Sequence, residues 1–217
     1  MRQSKLLAVV LALTTAVFIL SVSVAVPILL RHFYYAHIDA LELEKRTGLS
    51  REQMVQAYDQ VMDFCTGQAE EFSAGILPWS ASGRAHFFDV RGLFLFDVRA
   101  ALFSGLILLC WVLLGRKSPV QPYRFFGRGF TLWGSVGLWV AIMAIGGFAL
   151  LDFERAFVLF HAVAFPGKDN WCFDPHTDGI IRILPVAFFK NCAVLILLLI
   201  ALQCAGCIWL ELRRTRR

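Results

Sequence analysis

The sequence predicts an all-α integral membrane protein, a bundle of four transmembrane helices with an extracytoplasmic cap of short helices and loops. Its 217 residues are 58% hydrophobic and their mean hydropathy is +0.64. Four runs of the chain are apolar and nearly free of charge. A hydrocarbon core of about 30 Å takes roughly 20 helical residues, so each run suits one span. Lone strands are excluded because lipid leaves their backbone groups unsatisfied.

This pattern divides the chain into seven segments. In chain order they are a cytoplasmic N-terminus with the first span (1–30), an outer segment with an amphipathic helix (31–85), the second span (86–115), a cytoplasmic loop (116–129), the third span (130–151), an outer segment and loop (152–191), and the fourth span with a basic cytoplasmic tail (192–217).

The first span is predicted to be an uncleaved anchor. MRQSK is a basic start and Ser23 to Ala25 is a small-x-small site, two features of a signal peptide. The apolar run extends from Leu6 to Leu30, which is longer than the roughly 7 to 15 apolar residues of a signal peptide. It also continues past the small-x-small site.

The outer segment 31–85 is predicted to contain an amphipathic helix. Ser50 to Gln53 has the sequence of a capping box, which marks a helix N-terminus. The apolar residues that follow recur at helical spacing: Met54, Ala57, Tyr58, Val61, Met62 and Cys65. This helix is expected to lie on the bundle or on the bilayer surface.

The second span carries ionisable residues at membrane depth. At 100° per residue, one face of this helix carries a histidine and two carboxylates, which are His86, Asp89 and Asp97. Three arginines lie on the opposite side, and they are Arg84, Arg91 and Arg99. Such groups normally face the bundle or a wet cavity, which favours a functional site here. An interfacial charge ladder with snorkelling arginines fits the spacing equally well.

Basic residues predict the orientation. The N-terminus, the 116–129 loop and the C-terminal tail hold ten of the 21 lysines and arginines but only one of the 16 acids, Glu211. By the positive-inside rule these segments are cytoplasmic. The net charge of +5 is then the sum of two unlike faces, and nucleic acid is a poor candidate partner. All the histidines fall on the outer side: His32, His37, His86, His161 and His176.

The last outer segment ends in the polar loop NWCFDPHTD (170–178). Before it, the aromatic stretch 152–165 places Glu154 and His161 on one helical face. The loop is too short to build its own core. It must therefore pack on the end of the bundle, which brings it and His161 toward the helix that carries His86.

The six cysteines give a weaker signal. Four belong to apolar runs or flank them, where cysteine usually packs as a small hydrophobic residue: Cys110, Cys192, Cys204 and Cys207. The Cys204–Cys207 spacing is an isolated CxxC, for which packing is favoured over a metal or redox role. Cys65 and Cys172 both fall on the outer side, where oxidation is permitted, and could form a disulfide.

Two motifs resemble those of the bacterial lipoprotein intramolecular transacylases. They are HFFDVRGLF (86–94) and FHAVAF…DNWCFDPHTDGIIRILPVAFF (160–189), set between four spans in the same order. The resemblance implies a cell-membrane acyltransferase that moves the sn-2 acyl chain of a lipoprotein's diacylglyceryl-cysteine onto the α-amino group of that cysteine. It implies that His86 and His161 are catalytic. The chain departs from the family pattern at Gly83-Arg84-Ala85, where a glutamate is expected, and at Val186, where an acidic residue is expected.

The chemistry of these residues is compatible with that activity. An α-amino group with a pKa of about 8 needs a base, and the departing alkoxide needs a proton. Two histidines can divide these tasks near pH 7, and no enzyme nucleophile is required because amine and ester share one molecule. Asp89 could hold the His86 ring. The residues expected to support the pair or position the substrate are Asp89, Arg91, Asn170, Trp171, Asp174 and Asp178.

Two other functions remain open at this point, a non-catalytic membrane partner and a metal-dependent membrane hydrolase. A zinc site formed by His86, His161 and His176 has no local ligand spacing in its favour. No G-x-S-x-G, H-E-x-x-H or Gly-rich phosphate motif occurs. We therefore expect no metal and no cofactor. The expected partners are diacylglyceryl-modified bacterial lipoproteins and membrane lipid, and the sequence indicates no oligomeric state.

Overall fold

The computed structural model describes residues 2–215, so that Arg216 and Arg217 of the predicted basic tail lie outside the described residues. In chain order, the helices and strands are β1 (Arg2–Ser4), α1 (Lys5–Leu29), α2 (Arg31–Ala40), α3 (Leu43–Thr47), α4 (Arg51–Cys65), α5 (Ala81–Leu114), a 3-10 turn (Gly115–Lys117), β2 (Val120–Pro122), α6 (Phe130–Leu151), α7 (Phe153–Ala164), α8 (Ile180–Ile183) and α9 (Val186–Thr215).

Four of these helices are long and apolar enough to cross a membrane, namely α1, α5, α6 and α9. The prediction of four helical spans is therefore confirmed. The chain forms two compact units. The first comprises Met1–Ala25, Asp97–Gly147 and Leu195–Arg217, and the second comprises Val26–Phe96 and Phe148–Val194.

The core of the first unit is formed by α1, α6 and α9. Ile19, Leu138, Ile200 and Cys204 are buried together, and Cys207 packs against them. The isolated CxxC is thus part of helix packing, as its sequence context favoured. Gly134 lets α6 approach α1 closely, because a Cβ atom there would lie only 3.1 Å from the Ala12 carbonyl carbon.

One feature of the first unit was not predicted. β1 and β2 pair in parallel, with Arg2 opposite Val120 and Ser4 opposite Pro122. Neither strand has a signal in the sequence, because two strands of three residues, far apart along the chain, leave no periodic pattern. The pairing gives the backbone hydrogen bonds of both short strands a partner outside the helices.

The second unit contains the short helices of the predicted cap. The capping box at the start of α4 is present, since Ser50 Oγ accepts from the Gln53 backbone and the Gln53 side chain accepts from the Ser50 backbone. The six apolar positions predicted for its inner face are all buried. Tyr58 on that face stacks on Tyr34 of α2 with ring centroids 3.9 Å apart. Tyr34 in turn donates a hydrogen bond to the Ile183 carbonyl at 3.2 Å.

Two predicted boundaries differ from the structure. α5 begins at Ala81 and not at residue 86, and α9 begins at Val186 and not at residue 192. Both helices start with polar or short apolar stretches that hydropathy alone does not count as membrane. Cys65 and Cys172 are free thiols, so the disulfide that seemed permitted is not formed. Burial raises the pKa of the Cys65 thiol to about 12.

Candidate active site

His86 and His161 lie together in the second unit, although 74 residues separate them in the sequence. Their ring centroids are 5.9 Å apart and the ring planes are inclined by 30°. Only 5% of His86 and 7% of His161 is exposed. Buried imidazoles at this distance can act on the same substrate molecule, which is what the predicted histidine pair requires.

The position of His86 is set by the N-terminus of α5. Ser80 caps the helix, because its Oγ accepts a hydrogen bond from the Gly83 backbone at 2.9 Å. The Asp178 carboxylate then accepts from both the backbone N–H and the hydroxyl of Ser80, each at 2.9 Å. Asp178 is 5% exposed and also accepts from Thr177 Oγ1 at 3.0 Å. The end of the 170–178 loop is thereby fastened to the first turn of the helix that carries His86.

Gly83 leaves the space that this fastening needs. A Cβ atom at position 83 would lie 2.9 Å from the Asp178 side-chain carbon and nearer still to one carboxylate oxygen. The family resemblance led us to expect a glutamate close to this point. In this chain the carboxylate at the start of the helix is instead supplied by Asp178 from the loop.

The orientation of His161 is set within α7. Asp152 caps this helix through a 2.9 Å hydrogen bond from the Arg155 backbone. His161 Nδ1 lies 2.8 Å from the Phe157 carbonyl oxygen. A carbonyl only accepts, so Nδ1 carries the proton and Nε2 holds the lone pair when the ring is neutral. Burial lowers the pKa of His161, which favours this neutral form near pH 7.

Aromatic residues from the end of α7 and from the 170–178 loop enclose both imidazoles. The Phe165 ring centroid lies 4.9 Å from that of His86 and 5.7 Å from that of His161. Phe173 covers His86 at 5.4 Å, and Trp171 covers His161 at 4.6 Å. NWCFDPHTD therefore supplies one aromatic ring to each histidine. A site enclosed in this way limits the access of water to the reacting groups.

Among the described residues, Asp89 makes its hydrogen bonds to Lys168 and Asn170 and not to the His86 ring. Its carboxylate accepts from Lys168 Nζ at 2.6 Å and from Asn170 Nδ2 at 3.3 Å. Within the described residues, His86 Nδ1 and Asn170 Oδ1 are buried without a hydrogen-bond partner. Lys168 was not predicted, since a single lysine in a polar turn gives no signal of its own. The sequence does place it two residues before Asn170, in the family-like motif.

The other predicted supporting residues have structural contacts. Asp174 accepts from the His176 backbone at 2.9 Å and so shapes the turn. Trp171 Nε1 donates to the Lys168 carbonyl at 3.1 Å, which orients the indole beside His161. The Arg91 guanidinium donates to the Ala69 carbonyl at 2.9 Å and lies over the Phe64 ring. Arg91 therefore holds the segment that connects α4 and α5 against α5.

The remaining histidines have other surroundings. His32 and His176 are exposed, and His37 Nδ1 lies 2.6 Å from the Phe33 carbonyl. Among residues 2–215, no group of three or more His, Cys, Asp and Glu side chains has a geometry that could hold a metal ion. His176 thus does not join His86 and His161 in the arrangement that a zinc site would need.

Fold and site together define a polytopic membrane enzyme with a buried histidine pair. The family model of the lipoprotein intramolecular transacylase Lit matches residues 9–189. The chain belongs to this family, and its activity is that of a lipoprotein intramolecular transacylase. This result decides against the non-catalytic and hydrolase alternatives.

Solved structures support the same assignment. The transacylase Lit from Bacillus cereus, solved in meso, superimposes with a TM-score of 0.85 at 25% identity, covering 97% of this chain and 96% of that one. Variants of the B. cereus protein with one histidine changed to arginine or to alanine give TM-scores of 0.78 and 0.72, at 25% identity and with 92% and 94% of their chains covered. Each match covers 97% of the present chain. The comparison with curated proteins gave no significant match.

Proposed function

We propose that the protein transfers the sn-2 acyl chain of a lipoprotein's diacylglyceryl-cysteine to the α-amino group of the same cysteine, and that His86 and His161 catalyse the transfer. The product is an N-acyl lyso-form lipoprotein. The observation that carries this proposal is the distance of 5.9 Å between the two buried imidazole centroids. Among the described residues, neither ring forms a hydrogen bond with a carboxylate, so both remain available to substrate.

His161 is the better base of the two. Its Nδ1–H is committed to the Phe157 carbonyl at 2.8 Å, which leaves the lone pair of Nε2 free to accept a proton. Burial lowers its pKa, so the ring is neutral at the pH where the substrate amine is still largely protonated. His161 Nε2 therefore takes a proton from the α-ammonium group and leaves a nucleophilic amine.

His86 then serves the leaving group. The amine nitrogen attacks the sn-2 carbonyl carbon and a new N–C bond forms. The first proton passes from His161 to His86. The bond from that carbon to the glyceryl oxygen breaks as the oxygen takes this proton from His86, and the nitrogen gives its second proton to His161, which releases it. Starting from the ammonium form, one proton is released in total. Two imidazolium ions this close would repel each other, so the pair carries no more than one extra proton at any stage.

The lipid-facing side of α7 supports entry from the membrane. Around the buried His161, four apolar side chains of this helix are 50% to 75% exposed, and two of them lie on the opposite face: Val158, Leu159, Phe160 and Val163, of which Leu159 and Val163 are opposite. An amphipathic helix with such a face lies in the membrane interface, at the depth of the lipid ester groups. The sn-2 ester of a membrane-anchored substrate would then reach His161 without leaving the bilayer. We propose that the site lies on the outer side, because lipoproteins displayed on the outer leaflet would be its substrates.

Substitution of the histidines tests the mechanism. His86→Ala and His161→Ala should each lower the rate of lyso-lipoprotein formation by about 10² to 10⁴, the usual effect of removing a positioned acid or base. The readout is mass spectrometry of the N-terminal peptide of a reporter lipoprotein, at equal protein levels. His32→Ala and His176→Ala are matched controls because both side chains are exposed and outside the pair. Near-normal transfer in either His86→Ala or His161→Ala would refute the two-histidine mechanism.

Reporter fusions test the orientation. We propose that both termini and the 116–129 loop are cytoplasmic, because these segments hold ten of the 21 basic residues and one acid. A reporter fused after Arg217 should therefore be active as a cytoplasmic protein, and one inserted near Lys45 as an external protein. The same compartment for both fusions would contradict the four-span topology.

A further inference from the structure

The ion pair between Asp89 and Lys168 lies beside the histidine pair. Asp89 follows His86 by three residues on α5, so the two side chains leave neighbouring points of one helix face. Lys168 Nζ is 2.6 Å from Asp89 Oδ1, and 19% of the Asp89 side chain and 49% of the Lys168 side chain are exposed. The carboxylate is therefore largely enclosed, while its cationic partner comes from a loop and reaches it from water.

The substrate brings a cation of the same chemical class to this place. Its cysteine α-amino group has a pKa of about 8 and is mostly an ammonium ion at neutral pH. Such an ion needs a carboxylate partner when it leaves water. The other two predicted carboxylates have partners within the protein, since Asp178 accepts from Ser80 and Asp174 accepts from the His176 backbone. Asp89 differs from them in being paired with a half-exposed primary ammonium group.

We propose that Asp89 binds the α-ammonium group of the substrate cysteine, and that the Lys168 ammonium group occupies this position until the substrate displaces it. The inference rests on the proposed function, because it assumes that the free amine is the acyl acceptor. One ammonium replaces another, so the Asp89 carboxylate keeps a cation throughout. Asn170 Nδ2, 3.3 Å from the second carboxylate oxygen, keeps the carboxylate oriented during the exchange.

The exchange of ammonium groups on Asp89 also makes the enzyme bind the substrate more tightly than the product. The substrate nitrogen enters as an ammonium ion and leaves as a neutral amide, after the N–C bond has formed, the glyceryl ester bond has broken and the nitrogen has lost two protons. A neutral amide cannot neutralise Asp89. Lys168 therefore returns to the carboxylate, and the product loses a charge-assisted contact that the substrate had. Binding of the reactant and release of the product thus depend on the same carboxylate.

Two substitutions with opposite expected effects test the inference. The assay measures N-acylation of a synthetic diacylglyceryl-cysteine lipopeptide by the full-length enzyme in mixed micelles, as KM and kcat. Lys168→Met removes the competing cation and should lower KM about two- to sixfold, the range that follows from the strength of a partly exposed ion pair. Asp89→Asn should raise KM about 10- to 100-fold, since a hydrogen bond to a charged group is lost. The double variant should resemble Asp89→Asn.

Controls separate this role from simple fastening of the loop. Lys168→Arg keeps the competing cation, so it should not show the fall in KM that is expected for Lys168→Met. Lys45→Met breaks an exposed pair of similar length, 2.7 Å to Glu42, and should change nothing. The same lipopeptide with an acetylated amine has no ammonium group, so its inhibition constant should be the same for wild type and Lys168→Met.

The outcomes are distinct from those for the proposed function. The inference is wrong if the wild-type enzyme N-acylates the lipopeptide but Lys168→Met raises KM, leaves KM unchanged or lowers only kcat. In that case Lys168 only holds the loop in place. Tighter inhibition of Lys168→Met by the acetylated lipopeptide would also refute the inference. That result would mean that the substitution loosens the loop and lets any lipopeptide bind more tightly, whether or not it carries a charge. Absence of N-acylation by the wild-type enzyme would instead refute the proposed function. Lys168 is half exposed, so its variants can carry the test if Asp89→Asn fails to fold.

Discussion

Substitution of Gly83 by alanine tests whether the loop is fastened to α5 as the structure indicates. The new Cβ atom would lie 2.9 Å from the Asp178 side-chain carbon and closer to a carboxylate oxygen, so the carboxylate must move. It would then lose its 2.9 Å hydrogen bonds from the Ser80 backbone and hydroxyl. Because Asp178 is buried, no water replaces them readily. We expect Gly83→Ala to be both destabilised and less active.

The magnitude follows from three contributions. Overpacking costs about 1 to 3 kcal/mol, and the loss of a hydrogen bond to a charged group costs about 1.5 to 3 kcal/mol. Alanine in a helix interior returns about 0.5 to 1 kcal/mol relative to glycine. The free energy of unfolding should therefore fall by about 2 to 5 kcal/mol, which lowers the apparent Tm of a chain of this size by about 5 to 15 °C. The rate should fall about 10- to 100-fold through displacement of His86.

Gly92→Ala is the matched control for this prediction. It makes the same change in the same helix, and a Cβ atom at position 92 would meet no atom within 4 Å. Thermal unfolding of both variants in detergent and their initial rates with a reporter lipopeptide provide the comparison. Equal stability and equal activity of Gly83→Ala and Gly92→Ala would refute the proposed fastening by Asp178.

Two further predictions concern a buried carboxylate and the base. Glu211→Gln should lower the free energy of unfolding by about 2 to 4 kcal/mol, because the 4% exposed carboxylate accepts from Arg124 and from the Gly129 backbone, each at 2.8 Å. Glu42→Gln in an exposed pair should change it by less than about 0.5 kcal/mol in the same thermal scan, and equal effects would contradict this account. For pH, the lowered pKa of His161 means that kcat should begin to fall only below about pH 6.5. Stability should decrease over the same range as pH falls, since the unfolded chain then binds more protons than the native one. An acid limb of kcat centred above pH 6.5 would rule out His161 as the base.

The parts of the fold that were predicted correctly are those with local signals. Length and hydropathy identify four spans, and the capping box with its apolar spacing identifies α4 and the buried face that includes Tyr58. The start of α5 was missed because its cap is fastened by Asp178, 98 residues after Ser80. The pairing of β1 with β2 was missed for the same physical reason. A contact between distant short segments costs loop-closure entropy that no local pattern reveals.

In the candidate site, too, the features with a local sequence signal were predicted and those that depend on distant contacts were not. Helical spacing placed His86 and Asp89 on one face, but only the family resemblance joined His86 to His161 across 74 intervening residues. The partner of Asp89 could not be predicted, because any of several polar loop residues could have reached it. Lys168 does so because Gly167, with a φ of 73°, reverses the chain just before it. A positive φ is a property of the folded turn, and glycine in the sequence permits it without requiring it.

The loop NWCFDPHTD explains how a short polar segment can complete a membrane enzyme. It has no core of its own, and its order depends on partners supplied by the helices. Those partners are the proposed reactive groups, since Trp171 packs on His161, Phe173 packs on His86 and Asn170 bonds to Asp89. The contacts that fold the loop are therefore the same contacts that assemble the site. Most substitutions in the loop must then change stability and activity together, whereas Lys168 can change substrate binding alone because its side chain is half in water.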